Sequence, residues 1–482
     1  MQTILAWILV ALVLAAAYPW AAWLVTRSPR PPDFWLIILL ALALGPGALT
    51  LLMFWLALLG FRFDVWAITL PYFALMLPGY LLWRREGARI AWPVPPASRL
   101  ERLALLALAL VGGAVLFNAA YWPFYRDDAL AIYARYGRIM AETGTLVPFA
   151  GRNEAFYQAY PVQIPLVYAY TYLASGWLNE YLARVIPSLF SLGCIPAVYI
   201  LGKNLFDSLA GWLGALLLAL TPTFARWASS GYVDLPMAFA YTLAAVFAWR
   251  LWSDGRGVDA LLAGLMMGLA AWTKNAALLG VVFLVIWLAY GWLRRRFGLR
   301  TALIALLACA VVAAPWYARN WAEARLLVPP TAWTDQAAPT LNNLLILITL
   351  GNNFGLPGWL MLGGVFYGLW VALRRGRQSP EMLLLLLWTL PFFSVWWLLV
   401  SYDPRFILLF LPPLAALGGG WLAAVWNHSP QQRMRPFIPL FVALMLALAA
   451  YNAWIGVDYK QAILGNPLMG DAEKHEIVLR GR

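Results

Sequence analysis

The chain has 482 residues, of which 63% are hydrophobic and 11% charged. Soluble domains carry about 25% charged and about 45–50% apolar residues, and disorder needs the opposite bias, so neither class fits. What remains is an all-α polytopic membrane protein, whose net charge of +13 reads as basic cytoplasmic loops and not as a nucleic-acid partner.

In chain order, apolar runs predict fourteen spans at roughly 4–25, 35–59, 65–83, 103–121, 184–201, 209–222, 236–252, 260–273, 276–293, 301–316, 357–373, 382–400, 406–426 and 437–456. Several are shorter than the roughly 20 residues of a perpendicular helix. Met1-Gln2-Thr3 brings no positive n-region, so the first run reads as a retained span. A further apolar stretch, 162–178, is left out. Counting it would turn Arg294-Arg295-Arg296 and Arg374-Arg375 to the outside, against the positive-inside rule. Its prolines and tyrosines suit an interfacial, juxtamembrane segment.

This topology places nineteen basic and seven acidic residues inside, Arg89 and Arg433 among the basic ones, and leaves fifteen basic and fourteen acidic outside. Nearly all of the net charge then lies on one face. The outside face carries two long irregular segments, 122–183 and 317–356, and connections of that length are usually functional. Cys194 and Cys309 fall inside apolar runs and match no metal spacing.

The first outer segment brings Asp127 and Asp128 to the start of a helix predicted over 129–143, in which Arg135, Arg138 and Glu142 form one polar stripe. That pattern describes an amphipathic helix on the membrane surface. Asp234 lies at the mouth of a later span, where it would also serve as an N-cap ahead of Pro236. Lys274 sits between two short apolar runs, Arg405 sits in a five-residue outer turn beside Asp403, Arg184 opens a span, and Arg319 follows Pro315-Trp316. Each cation alone could snorkel to the headgroups. Gathered on the face that holds the acids, they suit a lipid phosphate, which they would hold and stabilise as it leaves. A carboxylate would take the proton of an attacking hydroxyl or amine. His428 and His475 fit no catalytic role. The acids form no D-x-D pair, so no metal site is assigned, although adjacent carboxylates can share a divalent ion with a phosphate.

Five stretches together resemble the GT-C superfamily of membrane glycosyltransferases. The nearest likeness is to RgtA/B/C/D-like bacterial members related to protein O-mannosyltransferases and the lipid A aminoarabinose transferase. The stretches are Asp127-Asp128-Ala-Leu-Ala-Ile-Tyr133 through Gly144, Ala183-Arg184 through Lys203, Leu220-Thr-Pro222 with Asp234-Leu-Pro236, Gly264 and Gly268 leading to Thr273-Lys274, and Pro315-Trp316 with Arg319-Asn320 followed by Arg405-Phe406 and Pro412-Pro413.

The resemblance implies a GT-C helical bundle and an inverting transfer of a hexosyl or pentosyl group. The donor would be a polyprenyl-phosphate sugar and the acceptor a lipid, glycan or protein on the non-cytoplasmic face of a prokaryotic plasma membrane. It implies Asp127 or Asp128 as base, Asp234 as second acid, and Lys274, Arg405, Arg184, Arg319 and Arg138 as donor-phosphate ligands. Residues 103–426 would form the catalytic core, 1–102 three added spans, and 427–482 a last span with a short outer tail. The alternatives left open are a transporter or flippase of a lipid-linked sugar, and a glycan polymerase or ligase.

Overall fold

A computed structural model describes residues 2–30, 32–86, 98–148, 159–328, 337–429 and 435–481. Every regular element among them is helical. The α-helices of six residues or more are α1 (Gln2–Ala15), α2 (Tyr18–Thr26), α3 (Phe34–Leu58), α4 (Val65–Arg85), α5 (Arg99–Tyr121), α6 (Arg135–Thr143), α7 (Gln163–Ser175), α8 (Glu180–Leu205), α9 (Ser208–Ala219) and α10 (Pro222–Trp227). They continue with α11 (Asp234–Asp254), α12 (Gly257–Thr273), α13 (Ala277–Leu293), α14 (Leu299–Ala324), α15 (Gly351–Arg375), α16 (Pro380–Leu399), α17 (Leu411–His428), α18 (Ile438–Gly456), α19 (Lys460–Gly465) and α20 (Asp471–Arg480).

Each predicted span is helical for most of its length. Among the described residues ten helical segments are long and apolar enough to cross a membrane, α1 and α2 together forming one, while α9, α12 and α13 are shorter apolar helices. The chain is therefore an integral membrane protein. Its helix starts carry their own signals. Asp33 accepts from the Trp35 and Leu36 N–H groups, Asp64 does the same for Trp66 and Ala67, and Ser98 and Glu101 form a reciprocal capping box at α5. Such caps satisfy backbone donors that a helix start leaves open.

The bundle is organised around α11, whose apolar window is 100% buried. Helices α8 and α12 pack along it, and α12 lies directly on α14. A Cβ on Gly264 of α12 would stand 2.0 Å from the Ala305 carbonyl oxygen of α14, so only glycine permits that approach. Small residues that bring backbones together are a usual means of helix association inside a membrane. One continuous core runs from Ala6 to Leu417. Into it α3 and α4 are keyed by polar contacts, Trp272 Nε1 donating to Thr50 Oγ1 at 3.1 Å and Thr69 Oγ1 lying 2.8 Å from the Tyr170 hydroxyl.

The two helices of the first outer segment take definite places. The 162–178 stretch is not a span, as expected, and it is packed within the protein. It forms α7, 13 residues long and so roughly 20 Å, too short to span. Protein encloses it, with Tyr168, Tyr170 and Tyr172 all buried. Its tyrosine hydroxyls find partners inside the protein, Tyr168 donating to the Gly231 carbonyl at 2.7 Å, so they need no headgroups. The 129–143 helix likewise rests on protein. It opens as a π-helical turn over Ala129–Ala134 and continues as α6, and at Gly137 it lies so close to α7 that a Cβ would be 2.6 Å from that of Tyr168. Its exposed stripe is the predicted one, Arg135, Arg138 and Glu142.

Charged groups gather at the two ends of α11, which is 21 residues long and so about 30 Å. At one end Arg30 forms a forked pair with Asp254 (2.8 and 3.2 Å) and Lys203 approaches Asp33 at 3.7 Å. All four belong to the face assigned as basic. The pairs at the other end are described below, and they too join only residues assigned to one face. Arg89 and Arg433 lie outside the described residues. Gly264→Val is expected to cost about 1–3 kcal/mol by overpacking, read as a lower unfolding temperature of the detergent-solubilised chain.

Candidate active site

Four chain segments converge at the Asp234 end of α11. Asp234 is the first residue of that helix, and Val233 takes the N-cap position. The Asp234 carboxylate accepts from Lys274 Nζ at 2.5 Å. Lys274 is held there because α12 ends on it, its N–H closing the last turn onto the Ala270 carbonyl. Both side chains are buried, 9% and 3% exposed for Lys274 and Asp234.

Arg405 enters from the short 3₁₀ turn Pro404–Leu409, where the Asp403 side chain caps the Arg405 N–H at 2.8 Å. Its guanidinium donates to Asp128 at 2.8 Å and approaches Asp403 at 3.3 Å. It lies over the rings of Trp227, Tyr232 and Phe406, at 5.3, 4.6 and 4.9 Å. The Lys274 ammonium lies over the same Phe406 ring at 4.7 Å, so one aromatic side chain joins the two ion pairs. Burial alone would lower the Arg405 pKa, but Asp234, Asp403 and Asp128 together hold it above the ordinary value. The Tyr232 hydroxyl accepts from the Asp128 N–H at 3.0 Å, and burial and the Asp128 charge both push its pKa up, which keeps the phenol neutral.

The structure does not bring every predicted residue to this cluster. Asp127 is exposed and pairs with none of the described residues. Arg138 lies on the exposed stripe of α6 and bonds Glu142 at 2.7 Å. Arg319 bonds Glu323 at 3.0 Å and the Val147 carbonyl at 3.2 Å, bracing α14 against the first loop. Arg184 is fully buried. It donates to the carbonyls of Trp122, Pro123 and Ser229 and stacks on Tyr125 at 4.8 Å. Bound in that way, it staples the loop before Asp127 to the loop before Asp234, and its donors face carbonyl oxygens.

Other residues were not singled out from the sequence. A cavity of ≈290 Å³ beside Arg405 is lined by Arg126, Arg226, Trp227, Asn353 and Asp403 among others. The 457–481 tail folds back onto the first loop. Asp458 accepts from Asn118 at 3.0 Å, from Arg126 at 3.2 Å and from the Tyr125 hydroxyl. Its own backbone bonds Asn118 and the Trp122 indole. Burial pushes the Tyr125 phenol up to about 12, so it stays a donor to Asp458. Among the described residues no three His, Cys, Asp or Glu side chains gather as a metal site.

Residues 163–318 match the family described as dolichyl-phosphate-mannose-protein mannosyltransferase. The fold is similar to that of ArnT from Cupriavidus metallidurans. In the apo state the likeness has a TM-score of 0.54 at 19% identity, covering 75% of this chain and 76% of that one. In the crystal structure of ArnT bound to undecaprenyl phosphate the TM-score is 0.52 at 20% identity, covering 76% and 70%. The apo oligosaccharyltransferase of Archaeoglobus fulgidus gives 0.50 at 14% identity, covering 80% of this chain and 60% of that one. No curated protein sequence matches the chain. The fold is a GT-C-type transmembrane helical bundle, as the sequence motifs implied.

Arg184→Ala would strip the donor from three carbonyls, each hydrogen bond to a charged group being worth about 1.5–3 kcal/mol. It is expected to prevent accumulation of folded protein, whereas Arg138→Ala leaves the unfolding temperature unchanged. Asp234→Asn leaves Lys274 without its counter-charge in a buried place, at a cost of about 3–5 kcal/mol, and the same thermal assay reads it.

Proposed function

We propose that the chain is an inverting glycosyltransferase that moves a sugar from a polyprenyl-phosphate donor to a lipid, glycan or protein acceptor on the non-cytoplasmic face. The observation that carries this reading is the convergence of Asp128, Asp234, Lys274 and Arg405, distant in sequence, on one polar cluster beside a cavity. The family match over 163–318 and the GT-C fold support it.

In this reading Asp128 is the base and Asp127 is not, because Asp128 is the one joined to the cluster. An acceptor hydroxyl or amine attacks the anomeric carbon and gives its proton to Asp128. The bond from that carbon to the phosphate oxygen breaks, and the lipid phosphate departs with the negative charge. Arg405 takes that charge. A guanidinium has five N–H donors, and the buried Nε–H of Arg405 has no partner among the described residues, so it can bind phosphate while keeping Asp128. Lys274, neutralised by Asp234, adds its field through the shared Phe406 contact. Preorganised donors of this kind supply much of the rate of such transfers.

Buried ionisable groups argue against the transporter alternative, which needs them near the bilayer midplane. Among the described residues Arg184, Asp234, Arg250, Asp259 and Lys274 are the buried charged ones, and all lie near helix ends. Incubation of native membranes with a panel of radiolabelled polyprenyl-phosphate sugars, scored by label transferred, tests the proposal. Asp128→Asn is expected to lower transfer by about 10²–10⁴-fold, the usual contribution of a general base, with Asp127→Asn near wild type. Full activity in the Asp127→Asn, Asp128→Asn double variant would overturn the assignment. Lys274→Ala is expected to weaken donor binding in competition with a lipid phosphate.

A further inference from the structure

A second and larger cavity, ≈550 Å³, lies between α5 and α18. Its floor is made of small side chains, Ala109 and Gly113 on α5 and Ala450 and Ala453 on α18. Trp454 stands at its side, 55% exposed. A groove with that lining, on two spans that face outward, opens to the hydrocarbon of the bilayer. Its lining is apolar except for Lys460, at the end of the bundle that holds the site.

Lys460 forms no ion pair with a described residue. Its ammonium lies 5.3 Å over the Trp454 ring, and the nearby Asp458 carboxylate is already occupied by Asn118, Tyr125 and Arg126. Arg226 likewise forms no ion pair with a described residue. Its guanidinium bonds the Asn353 side-chain oxygen at 3.3 Å. The two cations come close because α18 ends against α10 at Gly456, where a Cβ would be 3.2 Å from the Ala225 carbonyl oxygen. Burial lowers the Lys460 pKa, the Asp458 charge opposes that shift, and the Arg226 charge adds to it. Lys460 lines the head of the apolar groove and Arg226 approaches it from the cavity beside Arg405. That pairing suits a phosphate with an apolar tail, since basic pockets between transmembrane helices take anionic headgroups.

We propose that this groove binds one anionic glycerophospholipid of the bilayer, with its acyl chains against α5 and α18 and its phosphate between Lys460 and Arg226. The groove is distinct from the Asp128–Arg405 cluster, although Arg226 also lines the cavity beside Arg405, and the inference does not depend on sugar transfer. Bound there, the lipid would brace the tail two residues from Asp458 and so steady the loop that carries Asp128.

The test is thermal unfolding of the purified full chain in neutral detergent, titrated in turn with phosphatidylglycerol, phosphatidylcholine and undecaprenyl phosphate. Phosphatidylglycerol is expected to raise the unfolding temperature in a saturable way, as a ligand of the native state does, with phosphatidylcholine giving no such shift. Lys460→Ala is expected to lose at least about tenfold in apparent affinity, the loss of one charge-assisted contact of about 1.4 kcal/mol. A Cβ on Gly113 meets nothing within 4 Å, so Gly113→Leu fills the groove without disturbing the fold and is expected to abolish the shift. Equal shifts with the two phospholipids, an unchanged titration in Lys460→Ala or Gly113→Leu, or a shift with undecaprenyl phosphate alone would each overturn the proposal.

Discussion

Arg405 connects chain segments that lie far apart in sequence. Its guanidinium reaches Asp128 in the first loop and Asp403 in its own turn, and it shares the Phe406 ring with the Lys274–Asp234 pair. An isolated buried ion pair gains little, because removing two charges from water costs as much as their attraction returns. A linked set of charges changes that balance, since Arg405 meets two carboxylates at once and the aromatic walls restrict its rotamers. The arrangement sets the position of the two acids relative to each other. The rest of the bundle supplies the frame that lets such a set exist inside apolar surroundings.

That frame is closed from both sides of the loop. Arg184 fixes the backbone of Trp122 and Pro123 from below, while Asp458 fixes Tyr125 and Arg126 from the tail. Between them they leave Asp127 exposed and turn Asp128 toward Arg405. Two adjacent carboxylates on a helix point about 100° apart, so holding the loop also decides which acid reaches Arg405.

The sequence revealed most of the elements and part of the cluster. Asp128, Asp234, Lys274 and Arg405 were legible because each interrupts an apolar pattern at a helix end on one face. Arg184 interrupts it in the same way and does something else. Nothing local separates a guanidinium facing three carbonyls from one facing carboxylates. Arg126 and Asp458 meet across 332 residues, and no spacing rule reaches that far. The burial of α7 was not legible for a related reason. Periodicity records that its tyrosines are amphipathic, but whether a hydroxyl ends at a headgroup or at the Gly231 carbonyl depends on what packs above it.

Helix α11 is enclosed on every side and carries a polar cluster at each end. It therefore has no idle face and no idle length. Inserting one residue in its middle would rotate Asp234 by about 100° and shift it about 1.5 Å relative to Asp254. Either the Lys274 contact or the Arg30 contact would then break. Substitutions along α11 can be absorbed by repacking, but a change in its residue count cannot, so relatives that keep both clusters are bound to keep the number of residues between them.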